Sequence, residues 1–135
     1  MKYLEASIET ASKEDLMVKI FDAIVLFTRK AVEKMKTEPS DIQGRHNALR
    51  TAQKACAAAI DAIDFDLGGD LARSNCALYQ FWYRELVAAN MEGDVNRAEG
   101  LLPQMLIMRN AWAEAVRNYK IEMAGDEPRQ NVAVV

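Results

Sequence analysis

Apolar residues recur every three or four positions over most of this chain, the spacing that places side chains on one face of an α-helix. Residues 1–11 show no such period, and Ser12-Lys13-Glu14-Asp15 then has the character of a helix-capping signal. We therefore predict an apolar N-terminal arm over residues 1–11, followed by a first helix over about 12–36. The inward apolar positions of that helix are Leu16, Ile20, Ile24, Phe27, Ala31 and Met35.

Three more helices are predicted, over about 41–64, 70–91 and 95–123, because Pro39, Gly68-Gly69 and Gly93-Asp94 interrupt the pattern. Pro103 should kink the fourth helix or restart it near Leu102. Residues 125–135 lack periodicity and are predicted to form a flexible tail. Short connections favour antiparallel neighbours, so the expected fold is all-α, an up-and-down four-helix bundle within residues 12–124. The inward row of the second helix is Ile42, Leu49, Cys56, Ile60 and Ile63.

Composition narrows the classes of function. Half of the 135 residues are apolar, which is enough for one compact domain. The net charge of −3 argues against nucleic acid as a partner. No apolar run has the roughly 18 residues of a membrane span, and residues 1–15 are too charged for a secretory signal. We therefore expect a cytoplasmic protein without membrane insertion, with Cys56 and Cys76 as reduced thiols.

Catalytic chemistry is poorly represented. His46 is the only histidine, so one chain cannot supply a histidine-based catalytic pair or a multi-histidine metal site. No phosphate-binding glycine loop of the common kinds occurs, and acidic pairs such as Asp61 with Asp64 are more often solvated helix faces. We expect no enzyme activity, no cofactor and no metal, and we interpret His46 as a hydrogen-bonded histidine at the core boundary.

Several apolar side chains are predicted to point away from the core. At about 100° per residue, Phe81 lies nearly opposite the inward arc of its helix, and Leu26 and Ile107 lie across from the main apolar faces of theirs. A stripe of small residues, Ala48, Ala55, Ala59 and Ala62, runs along the second helix. The stripe is explained either by close packing against a neighbouring helix or by docking of a partner helix.

Motifs in the second half of the chain carry a family resemblance. Gly68-Gly69-Asp70-Leu71-Ala72 leads into Leu78-Tyr-Gln-Phe-Trp-Tyr83 and Leu86-Val-Ala-Ala-Asn90, and Asp94 is followed by Arg109-Asn-Ala-Trp112. This order, with the apolar arm before it, resembles the small flagellar export chaperones of the FliS family over roughly residues 3–120.

The resemblance implies a protein client. Members of that family hold the disordered C-terminal segment of flagellin, prevent its premature polymerisation and deliver it to the flagellar type III export gate. The apolar arm of the family can cover the bundle surface, and Tyr3 and Ile8 match positions that guard or complete the client site. We expect a monomer that forms a one-to-one complex with its client.

Combining the resemblance with helical phase gives the candidate partner-binding residues, which are Tyr3, Leu4, Ile8, Leu26, Ala48, Ala55, Ala59, Ala62, Phe81 and Ile107. The alternative is a self-associating helical-bundle adaptor with a different protein partner, in which the same apolar positions form a homodimer interface.

Overall fold

The computed structural model describes residues 13–125, with side chains from residue 15 onward. Its helices are α1 (Lys13–Thr37), α2 (Ile42–Asp61), α3 (Phe65–Glu92), α4 (Val95–Glu99) and α5 (Leu102–Gly125). No strand occurs within this range, and the predicted all-α helical bundle is confirmed. The predicted arm, and the tail beyond residue 125, lie outside the described residues.

Helix α1 organises the bundle. It packs closely against α2, α5 and the short α4, while α2 also packs against α3. The long helices alternate in direction, so α1 begins and α5 ends at the same end of the bundle, which we call the lower end. No comparable close packing of backbones joins α3 with α5 among the described residues. One side of the bundle is therefore less tightly closed than the others.

The turn between α2 and α3 lies earlier than the sequence pattern predicted. Helix α2 ends at Asp61, and Asp64 caps α3 by accepting a hydrogen bond from the Leu67 N–H at 3.0 Å. The predicted glycine corner is instead a kink inside α3, where Gly69 has φ 54° and ψ −128°. Glycine adopts this conformation without the steric cost that a Cβ would bring. Because Asp64 caps the helix, α3 begins at Phe65, about one helical turn before the predicted start at residue 70.

The predicted fourth helix is divided in two. Gly93 ends α3 with φ 65°, and Asp94 caps α4 by accepting from the Arg97 N–H at 3.2 Å. Helix α5 then begins at Leu102, and Pro103 is its second residue. Because the first N–H groups of a helix have no intrahelical acceptor, proline is tolerated there.

An aromatic cluster fills the core. Phe21 of α1 lies 5.5 Å from Tyr79 and 6.4 Å from Trp82 between ring centroids, both edge-on, and stacks on Trp112 of α5 at 6.3 Å. The Trp82 indole N–H also donates to the Gln104 side-chain oxygen at 2.9 Å. These contacts fix α5 against α1 and α3.

The predicted inward row of α2 needs one correction. Leu49, Cys56 and Ile63 are buried, but Ile42 is exposed. Ile42 is the first residue of α2, so helical phase alone could not show that its side chain lies beyond the edge of the core. None of the helices in residues 13–125 combines the length and hydropathy needed to cross a bilayer.

Candidate protein-binding surface

Three apolar side chains that the sequence placed outside the core are exposed in the structure. Leu26 is 41% exposed, Phe81 40% and Ile107 72%. Leu26 lies beside the groove between α1 and α5. Ile107 is on the outer side of α5, since it is two residues, or about 200°, from the buried Met105. The three exposed side chains are carried by three different helices, α1, α3 and α5.

Phe81 lies on the flank of α3, about 100° around the helix from Trp82. The adjacent Trp82 bonds to Gln104 of α5, which orients this part of α3. At 100° per residue, Leu71, Leu78 and Phe81 fall within about 80° of one another on that side. Leu71 and Phe81 are exposed and Leu78 is half-buried. They form an apolar border along the loosely packed side of the bundle.

The facing part of α5 is also incompletely covered. Met105 is fully buried, whereas the residues that continue its inward face toward the lower end are only half-buried. Those residues are Trp112, Tyr119 and Met123. We call the region between this face and the border of α3 the α3–α5 seam. It is closed near Trp82 and Gln104 and opens toward the lower end.

A second concave surface lies between α1 and α5, midway along the bundle. This cavity of about 270 Å³ is lined by Asp22, Val25, Leu26, Arg29, Leu106, Arg109 and Asn110. The Arg109 Nε donates to Asp22 Oδ1 at 2.7 Å across the groove. Because both side chains are partly exposed, this ion pair stabilises the fold by at most about 1 kcal/mol. The lining of this groove thus combines apolar side chains, Val25, Leu26 and Leu106, with polar ones.

The alanine stripe of α2 is largely a packing feature. Ala55 and Ala59 are fully buried, while Ala48 and Ala62 are half-buried and pack against the core. A partner cannot reach Ala55 or Ala59 in this conformation, so including them among the candidate binding residues is corrected. Small side chains here allow α2 to approach α1 and α3 closely.

His46 and Arg45 make structural contacts with Asn90. The His46 ring nitrogen Nδ1 pairs with the Asn90 side-chain amide at 2.9 Å, and Arg45 donates to the Asn90 carbonyl oxygen at 3.0 Å. Burial raises the pKa of the Cys56 thiol to about 12, which keeps it protonated. No group of three potential ligand side chains capable of holding a metal ion occurs within residues 13–125.

The sequence analysis missed an exposed apolar group at the lower end. Phe65, Leu67 and Leu71 surround the Gly68-Gly69 kink and are all exposed. Their spacing gave no warning, because the non-helical backbone at Gly69 breaks the helical phase between Leu67 and Leu71. The detectable signal was three large apolar residues close to a glycine pair. Tyr3, Leu4 and Ile8 lie outside the described residues.

Comparison with known proteins identifies the family. The sequence profile described as "Flagellar protein FliS" matches residues 1–119. The chain is also 25% identical over 125 residues to a protein of Bacillus subtilis (strain 168) named "Flagellar secretion chaperone FliS". That alignment covers 91% of this chain and 90% of the relative. Since the profile covers most of the sequence, the chain belongs to the FliS family of flagellar proteins.

Proposed function

We propose that this protein is a cytoplasmic export chaperone that binds the disordered C-terminal segment of flagellin. Binding prevents premature polymerisation and supports delivery to the flagellar type III export apparatus. The observation that carries the proposal is the α3–α5 seam, where apolar core positions of α5 are left half-exposed beside Leu71 and Phe81. The name of the Bacillus subtilis relative supports the chaperone role.

The surface suits an extended client better than a globular one. Leu26, Ile107 and Phe81 occur in turn around α5, from the α1–α5 groove, across its outer side, to the α3–α5 seam. An unfolded segment can follow this path and place apolar side chains at each position. Ordering such a segment opposes binding through lost conformational entropy, so contacts spread over a large area are needed for useful affinity.

The arm acts as a tethered competitor in this proposal. Tyr3, Leu4 and Ile8 are joined to the start of α1, at the lower end where the seam opens. A short tether gives the arm a local concentration in the millimolar range, enough to cover apolar surface weakly. A longer client with more contacts displaces it. The arm thereby limits aggregation of the free chaperone.

The proposed activity is non-covalent and requires neither a catalytic residue nor a cofactor. The chaperone occupies the C-terminal segment of flagellin, which would otherwise contribute to filament contacts. One-to-one stoichiometry follows from a single set of surfaces arranged around α5. The complex then presents flagellin to the export gate in an unpolymerised form.

A seeded polymerisation assay tests this function. Flagellin from the same genome is mixed with filament seeds and increasing amounts of the full chain, and growth is followed by light scattering. We expect growth to stop near one chaperone per flagellin. A chaperone carrying Phe81→Ala should inhibit less, whereas Tyr83→Ala, which changes a neighbouring exposed ring, should inhibit normally. Unchanged filament growth at a twofold excess of chaperone would contradict the proposal.

A further inference from the structure

A second section of the α1–α5 groove lies at the lower end of the bundle. This cavity has a volume of about 400 Å³, and its apolar lining residues are Val18, Ala113, Val116, Ile121 and Ala124. Ile121 is 64% exposed, which is unusual for an isoleucine beside a concave apolar surface. We call this region the lower groove.

The lower groove has a positive character although the chain is acidic overall. Its charged lining residues are Asp15, Arg117 and Lys120. The Lys120 ammonium pairs with Asp15 Oδ1 at 2.6 Å. Arg117 makes no ion pair with any residue between 15 and 125, so one cation of the lower groove is left for another anionic group. An occupant should therefore combine apolar side chains with carboxylates.

We propose that residues 126–135 of this chain fold back and occupy the lower groove. This segment directly follows α5 and contains the chemistry that the groove requires. Asp126 and Glu127 supply two carboxylates, and residues 132–135 are Val-Ala-Val-Val. The valines contact Val116 and Ile121, and the acidic pair, which precedes the turn, adds negative charge near Lys120 at the end of α5.

The length of the segment fits this placement. An extended chain advances about 3.3 Å per residue, so residues 132–135 reach roughly 13–23 Å back from a turn at Pro128. A helix rises about 1.5 Å per residue, so this distance corresponds to between about nine and fifteen residues of α5. Counted back from Pro128, the valines then lie level with about residues 113–119 of α5, where the lower groove is lined by Ala113 and Val116.

The local sequence also favours a reversal of the chain. Gly125 is the last residue of α5. Pro128 has no N–H and disfavours helical conformation for the residue before it, so α5 cannot continue through this point. The sequence therefore favours a change of chain direction near Pro128, three residues after the described part of the chain. This placement does not depend on the identity of the client, and it shields apolar surface that a second copy of the chain could otherwise contact.

Paramagnetic labelling of the full chain tests the proposal. A nitroxide is attached at Ala133→Cys in a Cys76→Ser background, where the remaining Cys56 is buried and protonated. We expect the methyl signals of Val18 and Ile121 to lose most of their intensity. The signals of Ile42, an exposed isoleucine at the opposite end of the bundle, should be unaffected.

Further variants separate this occupant from others. With no label present, Val132→Asp combined with Val134→Asp should shift the Ile121 methyl signals toward those of a chain ending at residue 125. Undiminished Val18 and Ile121 signals in the labelled protein would overturn the proposal. Broadening of these signals that weakens on dilution would indicate contact with a second copy of the chain, and it would also overturn the proposal. Ile121 shifts caused by Tyr3→Ser and Ile8→Ser, but not by the tail variant, would assign the groove to the arm and also overturn it.

Discussion

Replacing Phe81 by alanine should weaken flagellin binding while the bundle remains folded. A Phe side chain buries about 200 Å² when fully covered, so its 40% exposed fraction leaves about 80 Å² for a client. At about 25 cal/mol per Å², covering this area contributes about 2 kcal/mol, which corresponds to roughly a 30-fold increase in Kd for Phe81→Ala.

Tyr83 provides a matched control on the same helix. Its ring is 38% exposed, but it lies two residues away and lines a groove toward α2 with Ala57 and Ile60. Both alanine variants should lose about 1–2 kcal/mol of stability, because more than half of each ring is packed. Only Phe81→Ala should change the Kd for the flagellin segment, measured by calorimetry below the unfolding temperature of both variants. Equal weakening by both variants, or by neither, would refute the assignment of the α3–α5 seam.

Three further predictions concern the fold. Trp82→Ala should lower the free energy of unfolding by about 3–5 kcal/mol in urea denaturation, because the indole is fully buried and hydrogen-bonded; a loss below about 1 kcal/mol would contradict its central place in the core. At pH 8 a thiol reagent should modify Cys76 in the native protein but Cys56 only on unfolding, because the Cys56 pKa of about 12 lowers its thiolate fraction about a thousandfold. Equal rates of modification of the two cysteines in the native protein would contradict the burial of Cys56. The Lys34 ammonium and the Gly44 N–H hold the pKa of Asp41 below its usual range, so the ionised carboxylate stabilises the fold above about pH 4 and this stabilisation is lost as pH falls through the lowered pKa. The difference in free energy of unfolding between the unsubstituted protein and Asp41→Asn, measured by urea denaturation at each pH, should therefore disappear in acid. A difference that persists at pH 2 would contradict this explanation.

Helical phase was sufficient to predict properties that depend on one helix. The exposure of Leu26, Phe81 and Ile107 follows from their position opposite a well-defined apolar face. The restart of the chain near Leu102 follows from the chemistry of Pro103. These features need no knowledge of how the helices are arranged.

Features that depend on neighbouring helices were not determined by the pattern. The sequence could not say whether Ala55 and Ala59 face a partner or the bundle, because small side chains suit both. It also could not show that Ile42 lies beyond the core, or that α3 and α5 pack less closely than the other neighbouring long helices. The open seam results from the relative placement of two helices far apart in sequence, and no local period encodes that distance.

The most direct test of the account is a calorimetric titration of the full chain with the C-terminal segment of flagellin from the same genome, with light scattering of the separated complex. We predict saturable one-to-one binding by a monomeric protein, tightened when Tyr3 and Ile8 are replaced by serine. No binding at tens of micromolar, together with a dimer at every concentration, would contradict the central claim and favour the self-associating adaptor.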